Sequence, residues 1–184
     1  MSIFHQTYKT KSCYYDLLTQ TKPGNFIKKP QTIKVVLSFS SKDTNYNKLI
    51  NNLFALQLLT GLKPKILTSK RAVTSLKIRK GSPIGCSVTL RENQAEKFLF
   101  KALFLAFPNI KTLEKFKLSK KIKNTQSFSF FIEDLLVFPE LESQYELFQH
   151  QKLPKLNVTL ISPAKNLSEL ETILMSLKYP IKLN

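Results

Sequence analysis

Eight cations and no carboxylate lie between Lys63 and Arg91: Lys63, Lys65, Lys70, Arg71, Lys77, Arg79, Lys80 and Arg91. They stand among serines, threonines and glycines. Each cation is able to neutralise a phosphate, the hydroxyls add hydrogen bonds, and Gly81 and Gly85 would let a backbone approach closely. The chemistry of such a segment is the binding of a polyanion, with no bond made or broken. The plainer alternative is a solvated lysine-rich face. Gly81-Ser82-Pro83-Ile84-Gly85 invites comparison with phosphate-binding loops, but its spacing is neither that of a Walker loop nor that of a dinucleotide fingerprint.

Other chemistry finds little support. Glu140 and Glu142 lie two apart beside Pro139, with Glu133, Asp134 and Glu146 near, so paired-carboxylate catalysis has to be weighed. A nuclease would also need a clustered base and metal ligands on rigid elements, and none is evident. His5 and His150 have no Cys or His companion at a ligand interval. Cys13 and Cys86 make neither a disulfide framework nor a zinc site and read as plain thiols. The sequence therefore predicts no catalytic residue, no metal and no cofactor. Phe98, Phe100, Phe104 and Phe107 are candidate base-stacking rings, but at helical spacing beside leucines they read first as core.

The whole chain has 184 residues, 42% of them hydrophobic, which suffices for one globular domain with a real core. Its formal net charge of +17 far exceeds what solubility needs. Residues 1–123 hold 24 basic and 5 acidic side chains, residues 124–184 hold 5 and 7, so the two portions are expected to meet different partners. Only Arg71, Arg79 and Arg91 are arginines, a lysine bias that points to an A·T-rich genome. The most apolar stretch, Phe98 to Phe107, is too short for a membrane span, so no membrane partner is expected. The opening Met1-Ser2-Ile3-Phe4-His5-Gln6 has neither a secretory core nor the Arg-rich pattern of a transit peptide. An organellar version of this chain is expected to be made inside the organelle.

The elements that must position the cations follow from periodicity. Ile33, Val35, Leu37 and Phe39 alternate with Lys34, Val36 and Ser38, predicting a strand over Thr32–Phe39. From Asn45 the apolar positions Tyr46, Leu49, Ile50, Leu53, Leu56 and Leu59 predict one helix face, capped by Asp43 or Asn45 and ended by Gly61. Lys65–Arg71 and Thr74–Arg79 read as extended segments around a polar turn, followed by the alternation of Ile84, Cys86, Val88 and Leu90. Asn93–Phe107 returns to helical spacing and Pro108 should stop it. Ser127–Ile132 and Leu156–Ile161 read as strands, and Ser168 with Glu171 as a capping box before Leu170, Ile173, Leu174 and Leu177. Helices and strands interleave around one sheet, so the class is α+β.

Two stretches resemble a known family: Thr60-Gly61-Leu62-Lys63-Pro64-Lys65-Ile66-Leu67-Thr68, and Leu76-Lys77-Ile78-Arg79-Lys80-Gly81-Ser82-Pro83-Ile84-Gly85-Cys86-Ser87-Val88-Thr89-Leu90-Arg91. Together they are similar to the central signature of the L-five family of large-subunit ribosomal proteins. Phe138-Pro139-Glu140 looks like the element that precedes the family's last strand, and Asn157-Val158-Thr159-Leu160-Ile161 like that strand. Pro139-Glu140-Leu141-Glu142 with Glu146, Phe148 and His150 is similar to mitochondrial members. The resemblance runs from about Tyr8 to Leu177, one L-five-like domain over residues 1–184.

It implies a single mixed, mainly antiparallel sheet with helices packed on one face, and a structural role at the central protuberance, with large-subunit ribosomal RNA, 5S RNA where one is retained, P-site transfer RNA and neighbouring ribosomal proteins, including a small-subunit bridge protein, as partners. On that reading Lys28, Lys29, Lys63, Lys65, Lys70, Arg71 and Arg91 hold ribosomal RNA, whereas Lys77, Arg79, Lys80 and Gly81 reach transfer RNA from the tip of a turn. One segment departs from the bacterial pattern. Thr112–Thr125 lacks the family's glycines and, with Lys111, offers six lysines (Lys111, Lys115, Lys117, Lys120, Lys121 and Lys123), drift that favours a mitochondrial ribosome. A free-standing RNA-binding module is the alternative.

Overall fold

The computed structural model describes residues 34–40, 45–109, 116–117, 127–149, 153–162 and 181–182, with the isolated positions 19, 170, 174 and 175. In chain order the elements are β1 (Lys34–Ser40), α1 (Tyr46–Thr60), β2 (Lys65–Thr68), β3 (Pro83–Leu90), α2 (Glu92–Lys101), α3 (Phe107–Asn109), β4 (Phe116–Lys117), β5 (Ser127–Ile132), α4 (Pro139–Glu142), α5 (Tyr145–Phe148), β6 (Leu156–Ile161) and β7 (Ile181–Lys182). Five strands form one antiparallel sheet in the order β2-β3-β1-β6-β5, while β4 and β7 pair in parallel apart from it. An α+β fold with a mainly antiparallel sheet is thus present, as expected.

The alternation that marked the strands sets their faces. Val35, Leu37 and Phe39 of β1 lie opposite Leu90, Val88 and Cys86 of β3, and Val35 and Leu37 opposite Leu160 and Val158 of β6. All are buried. Side chains directly opposite one another share a face, so Phe128, Phe130 and Ile132 of β5 complete the apolar side through their pairing with Leu160, Val158 and Leu156. Ala55, Leu56 and Leu59 of α1 and Ala95, Phe98 and Leu99 of α2 close over it. Burying one side chain the size of Leu37 or Phe39 contributes about 1.5–3 kcal/mol, and this layer is where the fold is held.

Three expectations need correction. The buried face of α1 runs through Leu49, Asn52, Ala55, Leu56 and Leu59, whereas Tyr46 and Ile50 point outward; apolar identity alone sets the centre of that face off by part of a turn. Thr74–Arg79 is not a strand, because a single 3₁₀ turn over Thr74–Leu76 ends on Lys77 in the left-handed conformation. Pro108 lies one residue inside the helical run, which is described as far as Asn109. Between α2 and α3 the turn widens into a π-helix over Ala102–Ala106, with the Phe107 N–H donating to the Ala102 carbonyl. Such a wide turn accommodates a ring that an ordinary α-turn would reject.

Phe98 and Phe107 are core residues, the first 6.1 Å from Phe138 and the second 5.7 Å from Phe130 between ring centres. Phe100 and the exposed Phe104 pair with each other at 4.3 Å. Asn45 occupies the N-cap of α1 without a side-chain bond, and Gly61 caps its end at φ 68°. Thr32, Ile33, Asp43 and the expected box at Ser168 and Glu171 lie outside the described residues, although Leu170 and Leu174 are buried.

Candidate nucleic-acid interface

The cations between Lys63 and Arg91 divide along β3. This strand rises about 3.3 Å per residue, so Pro83 at one end and Arg91 beyond the other stand about 26 Å apart. Lys65 pairs with Ser87 near the middle, and Thr68 with Pro83. Lys63 therefore lies towards the Arg91 end and Lys65 near the middle, while Lys70, Arg71, Lys77, Arg79 and Lys80 all sit on the excursion from residue 69 to 82 at the other end. Proximity in sequence groups Lys70 and Arg71 with Lys63 and Lys65; the structure puts them in the same loop as the tip residues. All eight are exposed.

That excursion is built rather than loose. At its base the Ser69 N–H donates to the Ser82 carbonyl and the Gly81 N–H to the Ser69 carbonyl, both at 2.9 Å. Further out Val73 and Ile78 exchange both backbone bonds at 2.9 and 3.0 Å, and the Ile78 side chain is buried. The Ser69 hydroxyl donates to the Arg71 carbonyl at 2.5 Å and the Ser82 hydroxyl to the Arg79 carbonyl at 2.7 Å. Gly81 turns the chain at φ +87°, a region other residues enter only with strain. Lys77 does enter it, at φ 53°. Five cations are thereby held on a hydrogen-bonded frame, where binding costs less conformational entropy than it would in a free loop.

Gly85 works differently from the sequence reading. It is buried, and a Cβ there would stand 2.2 Å from the Phe39 carbonyl oxygen. Its missing side chain lets β1 and β3 pair; it offers no open backbone to a ligand.

Beside the loop lies a surface that sequence reasoning did not single out. The sheet face turned away from the helices carries Lys65 on β2, Ser87 and Thr89 on β3, Lys34, Val36 and Ser38 on β1, Asn157 and Thr159 on β6, and Ser129 and Phe131 on β5, matched across the strands by register. None of these is buried, and Phe131 is 62% exposed. The signal was available in these outward positions: half are small hydroxylated residues, and the rest include two lysines but no acid. Hydroxyls and amides donate and accept at short range, and an exposed ring offers a stacking plane.

The remaining candidates are not drawn together. Glu140 is bound to Lys101 of α2 at 2.5 Å, and Glu133 forms an ion pair with Lys155. Among the described residues no group of three or more His, Cys, Asp and Glu is placed to hold a metal, and no helix is long and apolar enough to cross a membrane. Cys86 is a buried free thiol. Desolvation pushes it up to about 12, with the neighbouring Phe39 backbone opposing part of that rise. Lys28, Lys29, Cys13, His5, His150 and the side chains of the lysines from Lys111 to Lys123 lie outside the described residues.

An antiparallel sheet covered by helices on one side, hydroxylated on the other and flanked by a cationic frame defines a scaffold that works by surface contact. Comparison with known proteins gives this class a family. A model of the C-terminus of the ribosomal L5 family matches residues 83–181. The chain is 32% identical over 154 residues to the Large ribosomal subunit protein uL5m of Reclinomonas americana, covering 83% of each chain. It is 31% identical over 180 residues to the Large ribosomal subunit protein uL5 of Wolbachia pipientis wMel, covering 97% of this chain and 98% of that one. With the uL5 of Geobacter sp. (strain M21) the identity is 27% over 160 residues, 86% of this chain and 87% of the other. The chain belongs to the ribosomal L5 family, and its relatives include the family's mitochondrial form. It is a structural ribosomal protein and not an enzyme.

Proposed function

We propose that this chain is a constituent of the mitochondrial large ribosomal subunit, where it binds ribosomal RNA at the central protuberance. 5S RNA is the expected ligand where the organelle retains one, together with a large-subunit RNA helix. The open hydroxylated sheet face, with Lys63, Lys65 and Arg91, serves as the ribosomal-RNA surface, joined by Lys28 and Lys29. The framed loop from residue 69 to 82 carries Lys77, Arg79, Lys80 and Gly81 towards P-site transfer RNA, and Lys70 and Arg71 stand at its root. Binding is shape-matched phosphate neutralisation. The family's small-subunit bridge protein is the further partner expected, and the lysine bias fits synthesis within the organelle.

The observation that carries this reading is the coincidence, within one family member, of an acid-free hydroxylated face and a hydrogen-bonded cationic loop at its edge. Sedimentation tests it. The chain is expected to travel with the large subunit at physiological salt and to leave it at high salt, because phosphate contacts weaken steeply as counterions are added. Recovery in the free protein fraction from intact particles would instead favour a free-standing RNA-binding module.

A further inference from the structure

The four phenylalanines between residues 98 and 107 do not share one environment. Phe98 and Phe107 are buried, whereas Phe104 is 55% exposed and Phe100 is half-buried beside it, their ring centres 4.3 Å apart. The π-turn over Ala102–Ala106 makes this division. It holds Ala102, Ala106 and Phe107 to the core and leaves Phe104 outward, with Leu105 next to it 41% exposed. Pro108, four residues beyond Phe104 and therefore on the same side, is exposed as well. A single exposed ring is ordinary, but contiguous apolar surface of this kind marks a contact site, and widened turns recur at such sites.

The charge around this patch is positive. Lys97 is exposed and stands seven residues before Phe104, two turns back on the same side of the helix and about 10 Å away along its axis. From Lys97 to Lys123 the sequence carries eight lysines and a single acid, Glu114. On the helix itself Glu96 and Glu92 lie about 12 and 18 Å back from Phe104 along the axis, and Glu140 is held by Lys101.

We propose that Phe104, backed by Phe100, is a stacking platform for one unpaired base of the large-subunit RNA, with Lys97 meeting the adjoining backbone phosphate. An exposed ring offers a base its flat apolar plane, and the second ring against it steadies that plane. A partner helix suits the patch less well, because helix docking needs apolar anchors over several turns, and here the stripe gives way to Glu96 and Lys97 one turn before Phe100. The inference rests on the ribosomal reading above. It adds to that reading a contact on the helical layer, apart from the open sheet face and the basic loop, that works by stacking rather than by charge.

The test measures binding of the full chain to the large-subunit RNA of its own ribosome, transcribed in vitro, over a series of salt concentrations. Phe104→Ala should weaken binding about tenfold, within the range that a lost base–aromatic stack costs. The factor should be the same at every salt concentration, because a lost stack changes no phosphate contact. Phe104→Trp, which presents a larger plane, should bind at least as tightly as the native chain. Phe104 is exposed, so both variants fold. A photoreactive phenylalanine analogue at position 104 in assembled large subunits should crosslink to RNA. Unchanged affinity in Phe104→Ala, a loss that varies with salt, a Phe104→Trp chain as weak as Phe104→Ala, or a crosslink to protein or to nothing overturns the inference and leaves the ribosomal reading standing. A native chain that binds no large-subunit RNA fails that reading itself, and the inference falls with it.

Discussion

Two exposed regions of this molecule are built on opposite terms. Residues 63–91 contain eight cations and no acid, whereas residues 133–149 contain five acids and no cation. The basic region spends its backbone hydrogen bonds on itself, through Ser69, Val73, Ile78 and Ser82, and leaves its charged side chains outward. The acidic region does the reverse: Glu133 and Glu140 are drawn into ion pairs with Lys155 and Lys101, while Tyr145 and Leu147 face outward. Self-satisfied backbone with outward cations suits a polyanion. A region that pairs two of its five carboxylates and turns apolar side chains outward suits a protein.

The comparison breaks first at the joint between β1 and β3. Gly85→Ala forces a Cβ against the Phe39 carbonyl and is expected to lower stability by about 3 kcal/mol, read as a lower denaturant midpoint, and to loosen the basic loop with it. An unchanged midpoint would mean that the loop is not anchored through this pairing.

Replacing Lys77, Arg79 and Lys80 together by Ala should weaken binding to transfer RNA roughly a hundredfold near 0.1 M salt while leaving assembly into the particle largely intact. The logarithmic salt dependence should flatten by about one unit for each phosphate left without its cation. Since Lys70 and Arg71 share the same frame, their replacement is expected to act on transfer-RNA retention, and that of Lys63, Lys65 and Arg91 on incorporation into the particle. Filter binding and particle assembly assays separate the two, and the reverse pattern would exchange the two surfaces.

Cys86 probes the sheet beneath both regions. The folded chain holds the thiol proton until about pH 12, whereas the ordinary value is 9.0. Between these limits the unfolded state binds fewer protons, so stability falls as pH rises, by about 2 kcal/mol at about pH 10.5. Comparing denaturation of the native chain with Cys86→Ala at about pH 8 and pH 10.5 isolates this contribution, which the variant should lack.

On the acidic side, Lys101→Ala leaves Glu140 without its partner. The pair is part-exposed, so the cost is about 1 kcal/mol in thermal denaturation. RNA affinity should barely change, and a large drop would draw Lys101 into the basic surface. The smallest effect belongs to Lys77→Gly, which relieves the left-handed backbone at φ 53° and should raise stability by about 0.5–1 kcal/mol even as RNA binding weakens through the missing cation.

Strands were legible wherever one face is apolar. Ser127–Ile132 and Leu156–Ile161 match their periodic runs to the residue, because alternation and burial are there the same fact. Helix α1 was legible in extent but not in face: Tyr46 and Ile50 are apolar yet exposed, and Asn52 is polar yet buried. Sequence records what a side chain is, and tertiary contact decides where it points. The loop's cations were legible as charges, but their frame was not. It depends on backbone bonds between Ser69 and Ser82 and between Val73 and Ile78, which no side-chain pattern announces. The open sheet face went unread because small hydroxylated residues also fill ordinary turns.

Strand β2 closes one edge of the five-stranded sheet, and its four residues are exposed throughout, Ile66 and Leu67 among them. Among the described strands it is an end strand, and one with exposed apolar side chains is a template on which other chains can add. Here the surrounding lysines act as gatekeepers, and they do so only while their charge is neither screened nor spent. Salt screens that protection; RNA bound as proposed above would spend it too, but would cover the neighbourhood in the same event. Newly made chains are therefore safest from aggregation at low ionic strength or already on the particle, so the timing of assembly matters to this protein as much as the affinity does.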